Sequence, residues 1–177
     1  FMPLTIGGGI CTIEDIYTVL NAGADKVSLN SVALNNPQFI RKAADIFGSQ
    51  CIVCSIDVKK TGQKYKVFNQ NLGVVDISPI DLAKQYQDNG AGEILLTSIE
   101  SEGSTNGYDI DLIKMFKGQL NIPIILNGGM GKPNDAVEAI KNGADAVAAA
   151  YIFHFSQWTP NDIKLEMLNN DIPVRLE

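Results

Sequence analysis

The chain has 177 residues, with 14 Lys and Arg against 20 Asp and Glu, a formal net charge of −6, one His and three Cys. At 45% hydrophobic and 19% charged it has the composition of an ordinary globular domain and not of a disordered chain. There is no basic cluster for a nucleic-acid surface and no apolar run near the ~18 residues of a membrane helix, and a lone His with scattered cysteines argues against a metal site.

In chain order, short apolar runs predict strands at 4–6, 26–30, 52–58, 94–98, 124–126 and 146–150, each followed by a helical pattern. Such runs suit parallel strands buried on both faces. Helix starts are marked by Thr12 before Glu14 and Asp15, by Asn36 before Pro37, by Ser78 before Pro79, and by Pro133 just inside its helix. Gly23, Gly48, Gly90 and Gly143 mark helix ends. Between Lys59 and Ser78, alternation at Tyr65, Val67 and Phe68 around Thr61-Gly62 predicts a β-hairpin inserted after the third strand, placed over the C-terminal mouth. Of the cysteines, Cys51 and Cys54 fall in an apolar strand. With Cys11 they read as buried free thiols of a reducing, cytoplasmic setting.

The chain also repeats itself. PLTIGGGICTIEDIYTVLNAGADKV from Pro3 aligns without a gap to PIILNGGMGKPNDAVEAIKNGADAV from Pro123, an offset of 120 residues. The copies share Pro3/Pro123, Gly8/Gly128, Gly9/Gly129, Gly23/Gly143, Ala24/Ala144, Asp25/Asp145 and Val27/Val147. Each copy is a strand–helix–strand unit of about 30 residues, so the offset amounts to four units, and two such halves make an eightfold (β/α) barrel of roughly 250 residues. The reading is therefore a single partial (β/α)8 TIM-barrel domain over 1–177, units three to eight, with the first two units expected before Phe1.

Working groups in such a barrel stand at the C-terminal ends of strands. Asp57 ends the run IVCSID and shares a face with Ser55 and Val53, while Cys54 and Ile56 point to the helices. A carboxylate at a semi-enclosed mouth suits proton transfer; the alternative is a solvated strand-end Asp or a helix cap. The turns Gly7-Gly8-Gly9 and Gly128-Gly129-Met130-Gly131 hold equivalent places in the two copies. Two related turns imply two anion sites across one mouth, hence a long ligand with a phosphate at each end; the alternative is tight turns with no ligand. The loop TSIESEGSTNGYD carries Thr97, Glu100, Glu102, Gly103 and Gly107 toward the same mouth, or is an ordinary solvated loop. His154, between Phe153 and Phe155, reads as a packed residue. At the opposite mouth, Lys26 and Glu93 open their strands, and stability is the default role for that face.

Taken together, GGGI at Gly7, GADKVSLNS at Gly23, FGSQ at Phe47, SIDVK at Ser55, GAGEILLTSI at Gly90, GYD at Gly107, NGGMGK at Asn127 and FHF at Phe153 resemble the cyclase subunits of imidazole glycerol phosphate synthase from end to end of the chain. The resemblance implies a (β/α)8 barrel in which ammonia from a glutaminase partner crosses the barrel. There it reacts with a small ribulosyl-formimino substrate bearing a phosphate at each end, giving imidazole glycerol phosphate and an aminoimidazole carboxamide ribotide for histidine biosynthesis. No cofactor and no metal is implied. Of the family's two catalytic aspartates, Asp57 resembles the second, and the first belongs to the opening strand. The phosphate sites carry over to Gly9, Asn30 and Ser31 on one side and to Glu102, Gly103, Gly129, Ala150 and Tyr151 on the other, where Asn127 and Gly128 complete the glycine corner. Thr97 resembles a threonine that contacts substrate, Lys26 and Glu93 two members of a charged gate, and Asp25 an aspartate of the docking interface.

Some residues depart from the pattern. Glu100 and Glu102 stand where the family usually has aspartates, Tyr151 where a small hydroxyl residue is usual, Asn127 where Ser or Cys is usual and Met130 where Ala is usual. The opening FMPL also resembles a side branch that works with a glutaminase-like partner in adding nitrogen to surface-polysaccharide sugars. The alternatives are therefore a sugar-amidation protein and a non-catalytic truncated barrel.

Overall fold

The computed structural model describes residues 2–176; Phe1, the first residue of the FMPL opening, lies outside the described residues. Six parallel strands form the sheet: β1 (Thr5–Gly7), β2 (Lys26–Leu29), β3 (Ile52–Thr61), β6 (Glu93–Ser98), β7 (Ile124–Asn127) and β8 (Ala146–Ala148), hydrogen-bonded in that order. The helices are α1 (Ile13–Asn21), α2 (Ser31–Asn35), α3 (Gln38–Phe47), α4 (Pro79–Asp88), α5 (Ile110–Phe116), α6 (Pro133–Lys141), α7 (Tyr151–Phe155) and α8 (Pro160–Asn169). Met2 and Pro3, ahead of β1, line one apolar groove of ≈ 1080 Å³ together with Ala146 and Val147 of β8, so the sheet curls until its two edges face each other. The architecture is α/β, an incomplete TIM-like barrel, as the repeat arithmetic requires.

Alternation along the strands sorts the side chains. Ile94, Leu96, Ile124 and Leu126 are buried against the helices beside Ile16, Leu112 and Phe116. Leu95 and Ile125, paired in register on the concave face, are only half-buried. The helix starts follow their expected signals: Thr12 caps α1 in a capping box with Asp15, Ser78 caps α4 ahead of Pro79, and Pro133 opens α6.

Asp15 has a counterpart in Asp135, an eighth identity between the copies. Asp15 Oδ2 accepts from the Cys11 and Thr12 amides at 2.9 and 2.8 Å, and Asp135 Oδ2 accepts from the Gly131 and Lys132 amides at 2.9 and 3.0 Å. Asp25 and Asp145 match in the same way, accepting from the Leu4 and Ile124 amides at 2.7 and 2.9 Å.

Three details differ from the sequence reading. Asn36 ends the short α2 and does not start a helix, because the residue before Pro37 is pushed out of the helical region (φ −147°, ψ 85°). The insertion is a three-stranded antiparallel ribbon, in which β3 runs on to Thr61, β4 is Lys64–Asn69, and a second turn leads to β5 (Gly73–Val75). Of the thiols only Cys54 is buried, and burial pushes it up to about 12; Cys51 sits half-buried in a 3₁₀ turn and Cys11 is exposed beside the first glycine corner.

Candidate active site

Register places the expected acid. Asp57 pairs with Thr97, Thr97 with Asn127 and Asn127 with Ala148, so these residues form one row across β3, β6, β7 and β8 at the C-terminal ends of the strands. Strands lie about 4.8 Å apart, which brings neighbouring side chains of a row within hydrogen-bond reach. Asn127 Nδ2 indeed donates to the buried Thr97 Oγ1 at 3.2 Å. Asp57 Oδ2 accepts from Asn30 Nδ2 at 2.9 Å. Burial raises the Asp57 carboxyl above the ordinary aspartate range, and the Asn30 hydrogen bond pulls partly the other way. An acid held in this way can both take and return a proton. Asp57 also stands where β3 exchanges β2 for β4 as its neighbour, pairing with Phe68 across the ribbon.

On one side of this row lies the first glycine corner, Gly7–Gly9, with Asn30 and Ser31 at the end of the adjoining strand β2. Gly8 and Gly9 have φ of 97° and 70°, and a Cβ added at either would meet nothing within 4 Å. Only the backbone angle demands glycine there.

On the other side, Glu102, Gly103, Asn127, Gly128, Gly129, Ala150 and Tyr151 line one cavity of ≈ 290 Å³. The five residues that the resemblance assigns to the second phosphate site thus lie together, beside Asn127 and Gly128 of the glycine corner. Here glycine also has a packing cause: a Cβ on Gly128 would stand 2.8 Å from the Ser98 carbonyl oxygen, and one on Gly129 would run into that of Gly107. The loop after β6 lies directly on the turn, and the Gly107 amide donates to the Gly129 carbonyl at 2.9 Å. At both corners the amides at the helix entrance are already taken by Asp15 or Asp135.

His154 corrects its sequence reading. It is exposed and lines the same cavity, because α7 is a surface turn of which only Ile152 is buried. Tyr151 and Phe155, one helical turn apart, hold their rings 4.5 Å apart at the cavity wall. Glu100 does not line this cavity.

At the N-terminal mouth, Lys26 Nζ pairs with Glu93 Oε1, both partly buried, across the intervening strand β3. Asp25, beside them, is occupied with the Leu4 amide, as Asp145 is in the second copy.

Two connections were not foreseen. The ribbon is fastened to the mouth on both sides: Tyr65 Oη donates to Asp109 Oδ1 at 2.8 Å, and Asn69 Nδ2 donates to Ser31 Oγ at 3.1 Å. Asp109 also caps α5 by accepting from the Leu112 amide.

The histidine biosynthesis protein family matches residues 1–159. The chain belongs to that family. It is 56% identical over 176 residues to a putative imidazole glycerol phosphate synthase subunit of Campylobacter jejuni, covering 99% of this chain and 71% of the relative. It is 48% identical over 180 residues to the HisF subunit of imidazole glycerol phosphate synthase of Leptospira biflexa, with the same two coverages of 99% and 71%. To the corresponding subunit of Endomicrobium trichonymphae it is 49% identical over 178 residues, covering 99% of this chain and 68% of the relative. The histidine biosynthesis family and the incomplete barrel thus come from independent observations, sequence similarity and strand order. Among the described residues no helix is long and apolar enough to cross a membrane.

Proposed function

We propose that the chain is the cyclase-type part of an imidazole glycerol phosphate synthase, a single partial-barrel domain over 1–177. It would use ammonia to convert a bisphosphorylated ribulosyl-formimino substrate into imidazole glycerol phosphate and an aminoimidazole carboxamide ribotide. The observation that carries this is the position of Asp57, lifted in pKa and held by Asn30, on a row bounded by two glycine corners. In this reading Gly9, Asn30 and Ser31 hold one phosphate. The glycine peptides at Gly128 and Gly129, with Gly103, Ala150 and Tyr151, hold the other. Thr97 and Asn127 line the span between them. Asp57 takes a proton as the new carbon–nitrogen bond forms and returns one as the substrate divides. Among the described residues its row carries no second carboxylate, so the other acid of the mechanism is supplied from outside that row.

A glutaminase subunit in the cytoplasm would deliver ammonia at the N-terminal mouth, where Lys26 and Glu93 form a charged clasp and Asp25 adjoins them. A second reading, ammonia-dependent amidation of a sugar, is favoured by the Tyr151–Phe155 wall, since paired aromatic faces suit the apolar face of a sugar ring. The test is turnover with ammonium salt as nitrogen donor and the bisphosphorylated intermediate as substrate. Formation of both products supports the first reading, and no turnover while a nucleotide-linked sugar is amidated establishes the second.

A further inference from the structure

We propose that Asn69 is a positioning residue that sets the Ser31 hydroxyl as a hydrogen-bond donor toward the first glycine corner. The inference rests on the reading of Ser31 as part of a phosphate site, and deepens it. Asn69 ends β4 and is 5% exposed, although it belongs to an inserted ribbon. Its amide can face only one way. Oδ1 accepts from the Asn71 and Leu72 amides at 3.0 and 3.3 Å, which only the carbonyl end can do. Nδ2 is therefore the end that meets Ser31 Oγ, at 3.1 Å, and it must donate.

A serine hydroxyl has one hydrogen and rotates to suit its partners. With Oγ accepting from Asn69, that hydrogen is not spent on the ribbon and is left to donate to an anion. A hydroxyl directed in advance loses less freedom on binding than one that must first turn round. The bond joins residues 38 apart in sequence, so it also ties the placement of the ribbon to the chemistry of the corner. The opposite fastening, Tyr65 to Asp109, supplies a control: Tyr65→Phe loosens the ribbon without changing polarity at Ser31.

The experiment titrates inorganic phosphate into isotope-labelled protein and follows the Gly9 and Ser31 amide resonances. Asn69→Asp keeps an acceptor for the Asn71 and Leu72 amides but presents Ser31 with an acceptor in place of a donor, so the hydroxyl turns toward the ribbon. Phosphate affinity should fall about tenfold, whereas in a Ser31→Ala background the same change should cost only the charge effect, about twofold. Asn69→Ala, which adds neither charge nor acceptor, should cost about threefold in the parent and nothing beside Ser31→Ala. Tyr65→Phe should leave affinity unchanged. Hydrogen exchange of the Asn71 and Leu72 amides reports whether each variant keeps its ribbon; where Asn69→Asp does not, Asn69→Ala decides. Equal losses in both backgrounds would overturn the positioning role while leaving the phosphate site intact. A Ser31→Ala variant that binds phosphate like the parent would overturn the site reading, and this inference with it.

Discussion

In the first copy of the repeat Asp15 is only half-buried and a Cβ at Gly9 would meet nothing; in the second Asp135 is 5% exposed and a Cβ at Gly129 would collide with the main chain of Gly107. Yet the hydrogen bonds within each copy correspond. Asp15 and Asp135 each gather two amides at the helix entrance, and Asp25 and Asp145 each hold an amide at the entry to the preceding strand. The comparison separates two demands on a sequence. Polar groups of the backbone must be satisfied wherever the chain turns, so those aspartates persist in both copies. What packs on the turn is free to diverge, and the loop after β6 has settled on only one of them.

The sharpest test concerns the acid between the corners. Asp57→Asn should lower turnover by at least about a hundredfold, measured with ammonium salt as donor, and turnover at the parent rate would remove Asp57 from the mechanism. The same variant should melt higher at neutral pH. Because the folded Asp57 pKa is raised, its contribution favours folding at low pH and is lost as pH rises through the folded value. At neutral pH the half-buried carboxylate therefore opposes folding, and the gain in melting temperature should disappear in acid.

Next in size is the pair of corner glycines. Gly129→Ala should destabilise by about 3 kcal/mol in urea denaturation, from overpacking added to a left-handed φ, and Gly9→Ala by about 1 kcal/mol from φ alone. Equal losses would mean that the corners are packed alike. A smaller contrast is expected for the aspartates. Asp135→Ala strands two amides beside a buried carboxylate site and should cost about 2 kcal/mol, and Asp15→Ala should cost less because water can reach the Cys11 and Thr12 amides. Asp15 itself is held below the ordinary carboxylate range by the Cys11 amide, then by the Thr12 side chain and amide. Its contribution is thus present above that range and lost as pH falls through the depressed value. The smallest effect is on ligand affinity at the second corner. Tyr151→Ser should tighten the bisphosphorylated substrate a few-fold if the ring crowds the cavity, and weaker binding in calorimetry would mark the tyrosine as part of an adapted site.

The parallel strands were legible because each carries its own apolar run, and the helix ends because Gly23, Gly90 and Gly143 each follow a capping residue with left-handed φ. Counting by twos put Ser55 and Val53 on the face of Asp57, but the pairing of Asp57 with Thr97 is a matter of register between strands far apart in sequence. What escaped the sequence was long-range. Asn69 and Asp109 look like turn and cap residues, and their ties to Ser31 and Tyr65 span 38 and 44 positions, which no local pattern records. The third ribbon strand was missed because β5 is three residues long. His154 was misjudged because its aromatic neighbours resemble core residues, whereas the helix that carries them turns only one of its five side chains inward.

The place of Asp57 in β3 has one more effect. Inward of it the strand is flanked by β2 and β6, both running its own way; from it outward, β4 runs the opposite way on one flank. A slip of β3 by one position would misalign a co-directional ladder and a counter-directional one together, besides turning every side chain to the wrong side. The acid is thereby indexed against two rulers that read in opposite senses, and its height in the barrel is fixed by main-chain pairing before any ligand arrives.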